Sequence, residues 1–180
     1  ALVMYTSGTT GAPKGAMLSH GNLVSNLLQG KAWVPGLGDK PERMLAALPF
    51  FHAYGLTMNV TLAQLIGGEL VILPVPQIPL IMQLMKKHTP TWLPGVPTLY
   101  EKIMDAAEDK GVDLTGISNA FSGAATLPVD VMERWESMTG GRLVEGFGMT
   151  ETSPVLIGNP MNGNRRPGYV GLPFPDTHVR

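Results

Sequence analysis

The chain has 180 residues, 44% of them hydrophobic and 15% charged, which supplies enough apolar material for a folded core and carries no signature of disorder. Thirteen basic residues against 14 acidic ones give a formal net charge of -1 with no run of like charge, which argues against nucleic acid as a partner. Cysteine is absent, so disulfide frameworks, zinc–thiolate sites and thiol nucleophiles are excluded, and a reducing cytoplasm is compatible with the composition.

The longest apolar stretches, such as residues 70–76, are short and broken by proline, far below the roughly 20 residues of a membrane span. No transmembrane segment is expected, and membrane contact would be peripheral. The chain begins in a strand-like run, Leu2-Val3-Met4, without a basic leader or cleavage site, and stops in what reads as another strand at residues 177–180. A piece of a longer polypeptide is the expectation.

Residues 22–29 place Leu23, Val24, Leu27 and Leu28 on one helical face, with Ser19 or His20 as cap and Gly30 as stop. Residues 35–41 form a Gly/Pro-rich turn region before a short strand at 43–48. The spacing predicts a helix over 56–66, ended by Gly67-Gly68, then a strand at 69–73. A second helix, 78–88, carries Ile81, Leu84, Met85 and His88 on one stripe, and 91–93 is the next strand. Pro97 suits the first turn of a helix running to Lys110, with Tyr100, Ile103 and Ala107 inward and Gly111 as terminator. A strand at 117–121 leads into Ser122-Gly123-Ala124-Ala125. Pro128 opens a helix with Val131, Trp135 and Met138 on one face, and 142–144 is the last strand of the alternation. Strand and helix alternate at least four times, which argues for an α/β fold with a mainly parallel sheet flanked by helices. In such sheets ligands sit beyond the carboxyl ends of strands. The chemically rich segments starting at Pro49, Ser122 and Glu145 follow strand candidates, and so does the opening loop. They are expected to share one site.

The opening loop, Tyr5-Thr6-Ser7-Gly8-Thr9-Thr10-Gly11-Ala12-Pro13-Lys14-Gly15, sets hydroxyls, glycines and a lysine side by side. Converging backbone N–H groups, hydroxyl donors and a lysine charge make a phosphate cradle. It is not a Walker A loop: Pro13 precedes the lysine where that motif has Gly, and Gly15 follows where it has Ser or Thr. It is expected to feed a helix whose N-terminal dipole favours an anion. In Glu145-Gly146-Phe147-Gly148-Met149-Thr150-Glu151, two glycines flank an aromatic whose face can stack a nucleobase for about 1–3 kcal/mol. Glu151 beside a triphosphate would be repelled without an intervening cation, which implies Mg²⁺.

Extended through Ala16-Met17-Leu18-Ser19-His20, the opening segment resembles the phosphate-loop signature of the adenylate-forming (AMP-binding) family, and later segments carry the likeness over essentially the whole chain. The resemblance implies a partial acetyl-CoA-synthetase-like N-terminal domain. It assigns nucleotide contacts to Thr6, Ser7, Gly8, Thr9, Thr10, Gly11 and Lys14, to Gly123, Ala124 and Ala125 beside the adenine, and to Glu145, Gly146, Phe147, Gly148, Met149 and Thr150. Within these, Phe147 lies on the adenine and Thr150 on the α-phosphate, while Glu151 and Thr6 attend the metal. Lys14, His52, Thr150 and Glu151 are the implied catalytic residues, His52 orienting the acid carboxylate and later the thiol rather than moving a proton. His20 and His88 read as structural, and Gly168 to Pro175 as a turn without a catalytic part.

The wording Pro49-Phe50-Phe51-His52, residues 95–100, 145–154 and 168–175 are most similar to bacterial long-chain fatty-acid–CoA ligases. The resemblance therefore implies ATP, Mg²⁺ and coenzyme A acting on a fatty acid, in a cytoplasmic enzyme whose membrane association stays open. Residues 1–180 would be the central part of the adenylation domain. An upstream segment, the ribose-binding Asp, a hinge and a C-terminal lid bearing the lysine of the first half-reaction would lie outside it, so these residues alone are expected not to form acyl-adenylate at a useful rate. Two alternatives stay open: an adenylation domain for an amino or aryl acid, and a non-catalytic nucleotide-binding or interaction module.

Overall fold

The computed structural model describes residues 2–6 and 11–180. β1 (Leu2–Thr6) and β2 (Lys14–Leu18) pair antiparallel as a separate two-stranded hairpin, Thr6 opposite Lys14. The opening loop thus joins two hairpin strands. It does not lie at the end of a strand of the main sheet, and β2 stands between it and α1 (His20–Trp33). Ser19 caps that helix in a capping box with Asn22, and the helix runs through Gly30 instead of stopping there. Its predicted apolar face is only half used: Leu23 and Leu27 pack on the core, but Val24 and Leu28 are 53% and 51% exposed, whereas Asn26 is 4% exposed.

β3 (Arg43–Ala46) leads to one continuous helical stretch made of α2 (Ala53–Gly55), a π-helical segment (Leu56–Thr61) and α3 (Leu62–Ile66). Within the π-helical segment the Met58 carbonyl accepts the Trp92 indole N–H at 3.0 Å. Then come β4 (Glu69–Ile72), α4 (Ile78–Lys87), β5 (Trp92–Gly95), α5 (Pro97–Lys110), β6 (Asn119–Ser122), α6 (Val129–Thr139) and β7 (Arg142–Gly148). α5 matches its predicted span because its signals are local: proline at the start and a left-handed Gly111 at the end. β7 runs on to Gly148, so residues 145–148 are strand and not loop. A short 3-10 turn (Thr150–Thr152) precedes β8 (Val155–Gly158) and β9 (Leu172–Pro173), while residues 177–180, expected as strand, carry none.

The seven-stranded sheet has the order β4-β3-β5-β6-β7-β8-β9, parallel from β4 to β7 and antiparallel over β8 and β9. Side-chain alternation gives it two buried faces. Leu45, Leu93, Ala120 and Leu143 pack under α4, α5 and α6 with Ile81, Ile103, Met132 and Trp135. Met44, Trp92, Phe121 and Val144 pack on the other face with Met58, Leu62 and Phe174. The chain steps outward from β3 to β4 and then back across to β5, so the strand order reverses beside β3, the switch point where open α/β sheets bind ligands. No helix among the described residues is long and apolar enough to cross a membrane.

Candidate active site

Beyond the carboxyl ends of β3, β6 and β7 lies a cleft of about 250 Å³ lined by His52, Tyr54, Phe121, Gly123, Ala124, residues 146–150, Pro154 and Val155. The structure thus brings together His52, Gly123, Ala124, Gly146, Phe147, Gly148, Met149 and Thr150, drawn from three separate segments of the sequence. Phe147 is 44% exposed and lines the cleft, so part of its side chain is accessible to a ligand. Gly146 lets β7 approach Phe121, since a Cβ there would lie 2.2 Å from the phenyl ring. Ala124 adopts a left-handed backbone (φ 66°), a conformation that costs a residue with a side chain about 1–3 kcal/mol and clusters at functional sites.

His52 caps α2, its Nδ1 accepting the Tyr54 N–H at 3.2 Å. With Nδ1 taken as acceptor, Nε2 is the ring nitrogen left as the donor, free of the cap. Tyr54 donates its hydroxyl to the Phe121 carbonyl, as Tyr100 does from the opposite face at 2.9 Å. Burial pushes both phenols well above their usual range, so they act as neutral donors. Tyr54 therefore ties the His52 corner to the end of β6. Together with Phe121, Pro154 and Val155 it lines the cleft without having been singled out in the sequence. Strand alternation along β6 was the available signal for Phe121; nothing local marks Pro154 or Val155.

Other predicted residues stand apart from the cleft. Glu145 shares a strand face with Leu143 and lines a separate small pocket with Leu127, Met132, Asn159 and Arg165. Burial raises its carboxyl above the usual glutamate range, partly offset by the Leu127 N–H. Ala125 is exposed outside the cleft lining. Glu151 is exposed in a neighbouring polar groove with Ser19, Asn22, Ser25 and Gln29 of α1's first turns. The Thr6 hydroxyl reaches the Lys14 carbonyl at 3.4 Å across the hairpin, and Gly11 and Lys14 are exposed. Ser7, Gly8, Thr9 and Thr10 lie outside the described residues. The stem they join is anchored beside the cleft: β2 packs against the turn bearing Thr150 and Glu151, and Met4 and Leu18 bury against Ala53.

No cluster of three or more acidic or histidine side chains stands ready for a metal among the described residues. The one exposed carboxylate of Glu151 is compatible with Mg²⁺, which takes one or two protein carboxylates and fills its remaining positions with phosphate oxygens and water.

Over residues 1–180 the chain matches the AMP-binding enzyme family, and it belongs to that family. It is 41% identical over 177 residues to a long-chain-fatty-acid–CoA ligase of Bacillus subtilis (strain 168), covering 98% of this chain and 32% of the relative. Among solved structures, a malonyl-CoA ligase ternary product complex with methylmalonyl-CoA and AMP bound superposes with a TM-score of 0.82 at 32% identity, covering 96% of this chain and 37% of the other. The anthranilate CoA ligase AuaEII in complex with anthranoyl-AMP superposes with a TM-score of 0.84 at 25% identity, covering 96% and 33%. The chain spans about a third of the length of the relatives it matches. These relatives are CoA ligases named for different acids.

Proposed function

We propose that the full-length protein activates a carboxylic acid with ATP and passes the acyl group to the thiol of coenzyme A, and that residues 1–180 form the central part of its adenylating domain. The observation that carries this reading is the convergence of Gly123, Ala124, Phe147 and Thr150 on one cleft. A purine fits between the small residues and the Phe147 face, and the Thr150 hydroxyl then reaches the α-phosphate. A carboxylate oxygen of the acid attacks the α-phosphorus, the bond to the bridging oxygen of the β-phosphate breaks, and pyrophosphate leaves with that electron pair. The thiol sulfur then displaces AMP from the acyl carbon.

The chain's part is positioning and charge compensation. Phe147 and the backbone around Gly123 orient the adenine, Thr150 donates to the α-phosphate, and Lys14 brings a positive charge. His52 Nε2–H orients the attacking carboxylate. Glu151 would hold Mg²⁺, which when bound offsets the negative charge building on the phosphate oxygens.

A long-chain fatty acid is the acid we assign. The cleft is lined by Tyr54, Phe121 and Val155, and among the described residues no lysine or arginine lines it to pair with the second carboxylate of a dicarboxylic acid. The relative of 41% identity carries the fatty-acid name. An aryl acid is the second reading, favoured by the AuaEII structure.

The experiment is acid-dependent exchange of pyrophosphate into ATP by the full-length protein and its Thr150→Ala and Glu151→Gln variants, with acids of graded length. Loss of about 10²–10³-fold in each variant is expected, the size of removing one transition-state donor. Wild-type rates in both would overturn the reading, and exchange driven by aryl acids alone would replace the fatty acid.

A further inference from the structure

Among the core-packed Leu23, Leu27 and Trp33, the inward side of α1 carries a buried amide, Asn26, that is spent on backbone. Asn26 Nδ2 donates to the Val155 carbonyl at 2.6 Å and to Gln29 Oε1 at 3.2 Å, while its Oδ1 accepts the Val155 N–H at 3.1 Å. One and two turns further on, Gln29 Nε2 donates to the Pro175 carbonyl at 2.5 Å and the Trp33 indole to the Asn159 carbonyl at 3.0 Å. An amide buried in mid-helix is costly unless its donors and acceptor are all used, and those of Asn26 are. Val155 begins β8 opposite Gly148, and β9 reaches only Ile157 and Gly158. The Asn26 amide therefore replaces the missing strand neighbour at Val155.

What hangs on Val155 is the turn that presents Thr150 and Glu151. The Met149 N–H donates to the Pro154 carbonyl at 3.0 Å and to the Thr152 hydroxyl at 3.0 Å, closing residues 149–154. Ser153 inside it is buried with a left-handed backbone, φ 74°. A non-glycine residue stays in that conformation only where its surroundings over-determine it. The hydroxyl of Thr152 closes the loop from within, and Asn26 clamps its exit from outside.

We propose that Asn26 is a positioning residue for adenylation: it fixes Val155 so that the 149–154 turn holds Thr150 and Glu151 in the geometry that meets the α-phosphate and its cation. This rests on the functional reading above. Asn26 lies outside the lining of the cleft, in the groove beside Glu151, and acts through the turn.

The test uses the full-length protein with Asn26→Asp, which keeps shape and acceptor but loses both donors, and Thr152→Val, which opens the same turn without touching α1. Each is measured for kcat, the KM of ATP and of the acid, the Mg²⁺ half-saturation and the thermal midpoint. The expected result is a fall in kcat of about 10–100-fold with a raised Mg²⁺ requirement, the size of losing an outer-shell partner, and a KM for the acid within about twofold. Because the effect passes through the turn, Asn26→Asp added to Glu151→Gln should cost less than the product of the two separate losses. A folded Asn26→Asp variant with unchanged kcat and Mg²⁺ dependence overturns the proposal. So do multiplicative losses in the double variant. Should Asn26→Asp not fold, Thr152→Val decides by the same readouts. If Thr150→Ala and Glu151→Gln are themselves silent, it is the functional reading that has failed.

Discussion

Gly146 and Phe121 occupy one space: a methyl group on Gly146 would stand 2.2 Å from Phe121 Cζ and 2.4 Å from Cε1, with the Ile157 carbonyl 3.0 Å away. The floor of the cleft is therefore set by the pairing of a bare backbone on β7 with a ring on β6. Gly146→Ala should destabilise the protein by about 1–3 kcal/mol, the usual cost of overpacking a core. Combining it with Phe121→Leu should cost less than the two separate effects added together. Denaturant unfolding of the four proteins in this cycle measures it; strict additivity would show that the two positions do not compete for space.

Glu145 gives a pH prediction. Its carboxyl is raised above the usual glutamate value by burial, so the folded state holds that proton more tightly than the unfolded state. Stability contributed at this position is therefore lost as pH rises from the ordinary glutamate value of about 4.3 through the raised one. Glu145→Gln keeps an acceptor for the Leu127 N–H and removes the charge. The variant should unfold at a higher temperature than the wild type at pH 7, the gap closing as pH is lowered toward the ordinary value. A gap independent of pH would contradict the burial argument.

Tyr54 and Tyr100 share one acceptor, the Phe121 carbonyl at the end of the strand leading to Gly123 and Ala124. Removing one hydroxyl leaves the other in place, so Tyr54→Phe and Tyr100→Phe should each cost about 1 kcal/mol, the net worth of one hydrogen bond. The double variant removes both side-chain donors from a buried carbonyl and should cost more than the sum. Equilibrium unfolding reads the coupling directly.

Much of this architecture is legible residue by residue. Pro97 and Gly111 bracket α5 by local chemistry, and the apolar pairs Met44-Leu45, Trp92-Leu93 and Leu143-Val144 mark strands buried on both faces. The cleft residues were legible because Gly123 follows such a strand and Phe147 lies at the end of one. What the sequence hides is set by distant partners. Asn26 is buried because it pairs with a backbone 129 residues away, which no helical periodicity reveals. β1 pairs with β2 rather than joining the sheet, although its apolar run alone fits either. Glu145 stands apart from the cleft residue Gly146 because β7 continues past Val144 and alternation sets its side chain with Leu143, opposite Val144 and Gly146.

The central claim is that adenine lies against Phe147 and the Gly123–Ala124 backbone, with the phosphates leading toward Thr150. Photolabelling of the full-length protein with an ATP analogue reactive at the adenine ring, followed by peptide mapping, tests this most directly. The expected label falls on peptides containing Gly123 or Phe147 and is displaced by excess ATP. Displaceable labelling confined to other peptides, with none at either segment, would contradict it.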